Sequence, residues 1–203
     1  MRGRTILFGL LALTYFTVSA RADEARTLVD EAVKAAGGAD KIPKIFRWQE
    51  TWFLGDSKTA NPREAIVKPP GIWGQGGKNI ATGNADRTEK TYLVWVWTLA
   101  PLLEPDSKLM LLPESMVGGR PIQGVRLTRD QQKDIDVYFD KETKRLARID
   151  WRTYQIDFDD WKEADGFKYP AQSYVRRKDG PLHLRTEFLV LERLTELPKE
   201  LQP

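Results

Sequence analysis

The residues best placed for chemistry in this sequence are carboxylates. The stretch IDFDDW (Ile156 to Trp161) sets Asp157 and Asp159 two residues apart, which on a strand puts both on one face and Asp160 on the other. Two carboxylates on one face can hold a cation or divide acid and base roles. Alternating Asp with Ile and Phe is equally how a half-buried strand looks when its outer face is wet. Glu50 is the second candidate: in IFRWQETWFLG it shares parity with Phe46, Trp48, Trp52 and Leu54, so one acid falls on an otherwise apolar face. The single histidine, His183, cannot build a His-based metal cluster. Its parity, opposite to Leu182 and Leu184, predicts a solvent-facing strand position. No serine sits in a G-x-S-x-G elbow, and the chain has no cysteine, hence no thiol nucleophile and no disulfide. GIWGQGGK (Gly71 to Lys78) resembles a phosphate loop only loosely, since Ile72 stands where the first glycine is needed and Asn79 follows the lysine. No cofactor or metal is expected, and a hydrolase using Glu50 or the Asp157/Asp159 pair is the one enzymatic alternative.

Aromatic residues are the more distinctive set. Trp48, Trp52, Trp73, Trp95 and Trp97 all fall in the first half of the chain. They either fill an ordinary core or line a cavity for an apolar ligand, since ligand pockets are mainly apolar with a few placed polar groups. The candidate ligand-binding residues are Trp48, Glu50, Trp52, Trp73, Tyr92, Trp95, Val96 and Leu99.

Those residues need elements to hold them. In TYLVWVWTLAPLL (Thr91 to Leu103), Tyr92, Trp95, Val96 and Leu99 recur at i, i+3, i+4 and i+7, while Leu93, Trp97 and Ala100 widen the stripe. Asp86 and Glu89 upstream suggest a capping box, and Pro101 downstream marks the end. A helix is favoured over a central strand, although Tyr, Val and Trp also suit strands. Apolar on nearly all sides, this helix must be covered on more than one face, as a lid across a concave sheet would be. An amphipathic helix is predicted from Leu28, Val29, Ala32, Val33 and Ala36, with acids at its start and a Gly37-Gly38 stop. IFRWQETWFLG and REAIVKPP read as strands and GIWGQGGKN as a glycine-rich turn region.

From Leu109 onward the pattern is a meander: KLMLLP, ESMVGG, RPIQGVRLTRD, DIDVYFD, one long run RLARIDWRTYQIDFDDWK, then FKYPAQSYVRRK and LHLRTEFLVLERL. VGGRP, DKETK, EADGF and KDGP separate most of these segments with turn chemistry. Alternation is clear in Ile135/Val137/Phe139, Tyr154/Ile156/Phe158 and Leu182/Leu184/Phe188/Val190. The fold class expected is mainly β (α+β): one large curved antiparallel sheet, a half-barrel, with an N-terminal helix and a helical lid.

The first 22 residues differ from the rest. Arg2 and Arg4, the apolar run Thr5 to Val18 and the A-x-A sequence Ala20 to Ala22 read as a cleavable signal peptide. The apolar run of 14 residues falls short of the ~18 to 20 needed for a membrane span, and no lipobox cysteine follows it. Residues 23–203 then form one exported domain in the periplasm or cell envelope, not integral to the membrane. Removing Arg2, Arg4 and Arg21 leaves 29 basic residues against 29 acidic ones. That balance excludes a sequence-independent nucleic-acid binder, which needs an excess of Lys and Arg.

Several segments together resemble the outer-membrane lipoprotein carrier (LolA/LolB-like) superfamily of exported bacterial proteins. They are the opening LVDEAVKAAGGADKIPKI, the block VGGRPIQGVRLTRDQQKDIDVYFDKETKRLARIDW, and FDDWKEADGFKYPAQSYV. The resemblance spans most of residues 25–192 and consists of turn-and-strand grammar without a catalytic residue. It implies an open half-barrel with helices over its mouth and, by analogy, a lipid, an acyl chain or a lipoprotein as partner. An envelope scaffold whose cavity is filled by its own side chains is the alternative.

Overall fold

In the computed structural model, which describes residues 9–178 and 180–202, one antiparallel sheet carries the molecule. Helix α1 (Gly9–Ala35) comes first. Strands β1 (Phe46–Leu54), β2 (Asn61–Lys68), β3 (Ile72–Gln75) and β4 (Lys78–Asn79) follow, then helices α2 (Ala85–Trp97) and α3 (Ala100–Leu103). Strands β5 (Lys108–Leu111), β6 (Ser115–Val117), β7 (Arg120–Thr128), β8 (Ile135–Asp140), β9 (Leu146–Trp151), β10 (Tyr154–Ala164), β11 (Phe167–Arg177) and β12 (Leu182–Arg193) complete the sheet. Its order is β4-β3-β2-β1-β12-β11-β10-β9-β8-β7-β5, with β6 paired to β7, and it does not close into a barrel.

The first eight residues of the expected signal segment lie outside the described residues. From Gly9 the helix runs through Ala20–Ala22 without a break, so Asp23 and Glu24 sit inside it rather than in its first turn. Ala, Arg, Asp and Glu at 20–24 contain no breaker, and nothing local stops the helix there. Its C-terminal half buries Ala25, Leu28, Val29, Ala32 and Val33, against β5 and β7. The expected stop holds: Gly37 (φ 115°) and Gly38 (φ 106°) take conformations that suit glycine, and the Gly38 N–H donates to the Val33 carbonyl at 2.9 Å. No helix among the described residues is long and apolar enough to cross a membrane.

Three strand readings need correction. GIWGQGGKN is not merely a turn: β3 and β4 form a small hairpin around Gly76 and Gly77, both with positive φ, and it buries Trp73. RLARIDWRTYQIDFDDWK is two strands, folded at Arg152-Thr153 so that Trp151 faces Tyr154. Arg152 adopts φ 56° there, in a turn that no Gly, Pro or Asn announces. In β12 the alternation slips: Gln49 pairs with Val190 but Glu50 with Phe188, so Leu189 is an extra residue. That bulge turns Leu189 and Val190 outward and brings Leu191 into the core.

Candidate functional site

The helix expected near residues 86–100 is present and is capped differently from expectation. Asn84, not Asp86, is the N-cap, its side chain accepting from the Arg87 N–H at 3.1 Å. Asp86 and Glu89 instead form ion pairs, with Lys90 at 2.7 Å and with Arg152 of the β9–β10 turn. The helix stops before Pro101: Leu99 takes a left-handed conformation (φ 68°) and Pro101 falls in the first turn of α3.

Two opposed apolar faces follow from the all-round stripe. Tyr92, Val96 and Leu99 are buried in the main core, and Trp95 beside them lies under the Arg129 guanidinium, 5.1 Å from its ring centroid. Burial pushes the Tyr92 phenol up to about 12. Leu93, Val94 and Trp97 turn the other way, over a cavity of about 490 Å³ between α2 and the concave face of the sheet.

The cavity wall is assembled strand by strand. β1 supplies Trp48 and Glu50, β2 Arg63 and β3 Trp73. β9 and β10 add Ile149, Trp151, Tyr154, Ile156 and Phe158. β11 and β12 close it with Ser173, Val175, Leu184, Thr186 and Phe188. At one corner the aromatic rings interlock: Trp48 lies edge-on to Trp73 (5.5 Å) and to Trp97 (5.9 Å), and Phe188 is 5.4 Å from Trp97. Such pairs add about 0.5 to 1.5 kcal/mol each beyond area burial. The indole N–H groups of Trp48, Trp73 and Trp97 have no hydrogen-bond partner among the described residues.

Glu50 is the buried charge on this wall, 2% exposed. Its cross-strand neighbour Arg63 donates to it and forms the ion pair. Burial pushes the Glu50 carboxyl above its usual range, opposed by the Arg63 charge and hydrogen bond. Arg63 also lies over the Trp73 ring at 5.4 Å, with Arg87 at 5.9 Å from the same ring. Around the exposed rim stand Asp86, Arg87, Lys90, Arg152 and His183.

Of the eight residues singled out in the sequence, Trp48, Glu50 and Trp73 line the cavity. Trp52 is half-buried farther along β1 and does not, and Tyr92, Trp95, Val96 and Leu99 occupy the core-facing side of the lid region. The roof comes instead from the residues flanking that stripe. Leu54, grouped with the greasy face, is 54% exposed, whereas Phe53 is buried beneath Arg185. Arg63 and the β9–β12 wall were not anticipated as site residues; strand parity carried the signal for Ile156, Phe158, Leu184 and Phe188. His183 is exposed as expected, at the rim, 6.0 Å from the Tyr154 ring.

The aspartate pair lies outside the cavity and is engaged in ion pairs. Asp157 alternates with the cavity-lining Ile156 and Phe158, and on the opposite face it accepts from Arg148 (2.8 Å) and pairs with Arg176 (3.4 Å). Asp159 is exposed, its nearest cation Arg120 at 4.0 Å. Asp160 takes a left-handed conformation (φ 50°) between the Asp159 and Trp161 pairings, with the register kept on both sides. No group of three or more His, Cys, Asp or Glu among the described residues is placed to hold a metal ion.

No family model matches the chain, and no curated protein matches its sequence. Solved structures do resemble it. A DUF1329 family protein from Desulfovibrio piger superposes with a TM-score of 0.53 at 11% identity, covering 88% of this chain and 95% of its own. A domain from Vibrio parahaemolyticus assigned to outer-membrane lipoprotein sorting gives 0.52 at 10% identity, covering 88% and 95%. A LolA superfamily protein from Nitrosomonas europaea gives 0.52 at 10% identity, covering 87% and 96%. At these identities the likeness is one of fold: the chain has the LolA-like fold that its turn-and-strand grammar resembles.

Proposed function

We propose that this is an exported, non-enzymatic protein of the periplasm or cell envelope that holds a hydrophobic ligand, a lipid or the acyl chain of a lipoprotein beneath α2. The observation that carries the reading is the 490 Å³ cavity roofed by Leu93, Val94 and Trp97. That volume lies within the ~300 to 1,000 Å³ typical of small-molecule sites. Its wall is largely aromatic and aliphatic, and each methylene buried there contributes about 0.8 kcal/mol. The signal-like residues 2–22 support export, and the fold likeness to a lipoprotein-sorting domain supports the ligand class. A scaffold with a self-filled interior would leave no space under α2; Trp97 packs down on Trp48 and Phe188 at one corner, but the space beside it, under Leu93 and Val94, favours the carrier.

Native mass spectrometry of the protein purified gently from its own host tests this, followed by delipidation and titration with fatty acids and lipopeptides. Co-purifying apolar ligand and a tryptophan fluorescence change on re-addition are expected. Ligand-free protein with no fluorescence response refutes the reading. Val175→Trp, which places an indole in the cavity, is expected to abolish uptake while the fold persists.

A further inference from the structure

The lining of the cavity carries a charge asymmetry that the chain as a whole does not. From Asp23 onward acids and bases balance at 29 each. Lining the cavity, however, are Arg63, Arg87, Lys90 and Arg152 against Glu50 and Asp86. The pairings separate these groups by depth. Glu50 and Arg63 neutralise each other on the buried wall. At the rim, Lys90 is paired with Asp86 and Arg152 with Glu89, all four side chains being at least a third exposed. Pairs so exposed are weakly held and readily exchanged. Arg87 has no carboxylate partner among the described residues; its guanidinium rests near Trp73. It lies three residues before Lys90 on α2, so the two project from neighbouring positions on one side of the helix.

We propose that this rim is an anion site, and that the ligand is a single-chain amphiphile whose anionic head, a carboxylate or a phosphate monoester, is held by Arg87 with Lys90 and Arg152 while its chain lies under Trp97. The inference rests on the ligand reading above and fixes the ligand's orientation. An anion is attracted at the rim, while deeper in it meets only apolar wall and the already neutralised Glu50–Arg63 pair, so the head stays out and the tail goes in. Taking ~30 Å³ for each water-sized group, the volume holds on the order of sixteen such groups, a scale that suits one chain.

Titration of the purified protein by tryptophan fluorescence distinguishes the two levels. The probes are dodecanoate, dodecyl phosphate, neutral monododecanoylglycerol and dodecyltrimethylammonium, each below its aggregation concentration, with acetate and inorganic phosphate as chainless controls. Dodecanoate, dodecyl phosphate or both should bind at least about tenfold more tightly than the neutral probe, with the preference shrinking at high salt. Which of the two binds better separates a free fatty acid from a phospholipid-derived monoester as the source. Arg87→Gln should remove the preference for the anionic probes over the neutral one. Equal affinity for all head groups, tighter binding of the cationic probe, or a preference intact in Arg87→Gln overturns the anion site and leaves the cavity reading standing. Inorganic phosphate binding as tightly as dodecyl phosphate overturns the amphiphile. No binding of any chain overturns both.

Discussion

Replacing Arg63 by methionine isolates the buried charge on the cavity wall. The substitution keeps a long apolar stem beside Trp73 but leaves Glu50, 2% exposed, without its countercharge. Breaking a buried pair from one side costs about 3 to 5 kcal/mol. The Arg63 side chain is 24% exposed, which places the expected loss at the lower end, about 3 kcal/mol, including ~0.5 to 1 for the contact with Trp73. For a domain of this size that corresponds to a fall of roughly 6 to 12 °C in Tm. The pH dependence identifies the cause. Burial raises the Glu50 carboxyl, so the folded state binds its proton more tightly than the unfolded chain does, and folding takes a proton up. Stability therefore falls as pH rises from the ordinary value of 4.5 through the raised folded value, and levels off above it. Loss of Arg63 removes the charge that opposes this shift and steepens the fall. Urea unfolding followed by tryptophan fluorescence should give the full deficit relative to wild type at pH 7.5 and about half of it or less near pH 4.5. The double variant Glu50→Gln/Arg63→Met should return to within about 1 kcal/mol of wild type. A pH-independent deficit, or a double variant no more stable than Arg63→Met, refutes the reasoning.

Trp97→Ala removes the roof indole that packs on Trp48 and Phe188 and should cost about 3 to 5 kcal/mol in urea titrations. Gly37→Ala forces a side chain onto φ 115° with its Cβ against the Gly166 carbonyl, so a loss of at least about 2 kcal/mol is expected by thermal melting. Asp140 accepts from the Glu142 and Thr143 N–H groups at 3.0 and 2.8 Å. Burial opposes its ionisation, but the Thr143 hydrogen bonds hold its carboxyl below the usual range. Its contribution is complete above the unfolded value and is lost as pH falls through the folded one; Asp140→Ala should cost about 1 to 3 kcal/mol at pH 7 and less in acid. Glu89→Gln releases Arg152 from the lid; stability should change by less than about 1 kcal/mol, while stopped-flow fluorescence shows faster ligand exchange.

Local periodicity carried much of the fold because most elements have one dominant face. The β7–β8 segment alternates Val125 and Leu127 with Ile135, Val137 and Phe139, all fully buried, and parity alone locates them. The lid helix was legible for the same reason, but its two apolar faces were not separable: nothing in TYLVWVW says whether Tyr92 and Val96 or Leu93 and Trp97 meet the sheet. Glu50 could be placed on the aromatic face by counting residues, whereas Arg63 could not be assigned to it before the β1–β2 register was known. The bulge at Leu189 was hidden because parity counting assumes a pairing of one residue to one. The β9–β10 turn was hidden because Arg152 takes a left-handed conformation that glycine or asparagine usually advertises.

The position of β12 has a consequence for how the molecule is made. It is the strand that joins β1 on one side to β11 on the other, so residues 46–79 stay separate from the larger ladder of β5 to β11 until residues 182–193 arrive. Phe46 and Trp48 pair with Arg193 and Leu191, some 140 residues away, and such long closures are slow. A chain synthesised from its N-terminus therefore keeps its first hairpin without a neighbour for most of its production, and the cavity is the last part to take shape.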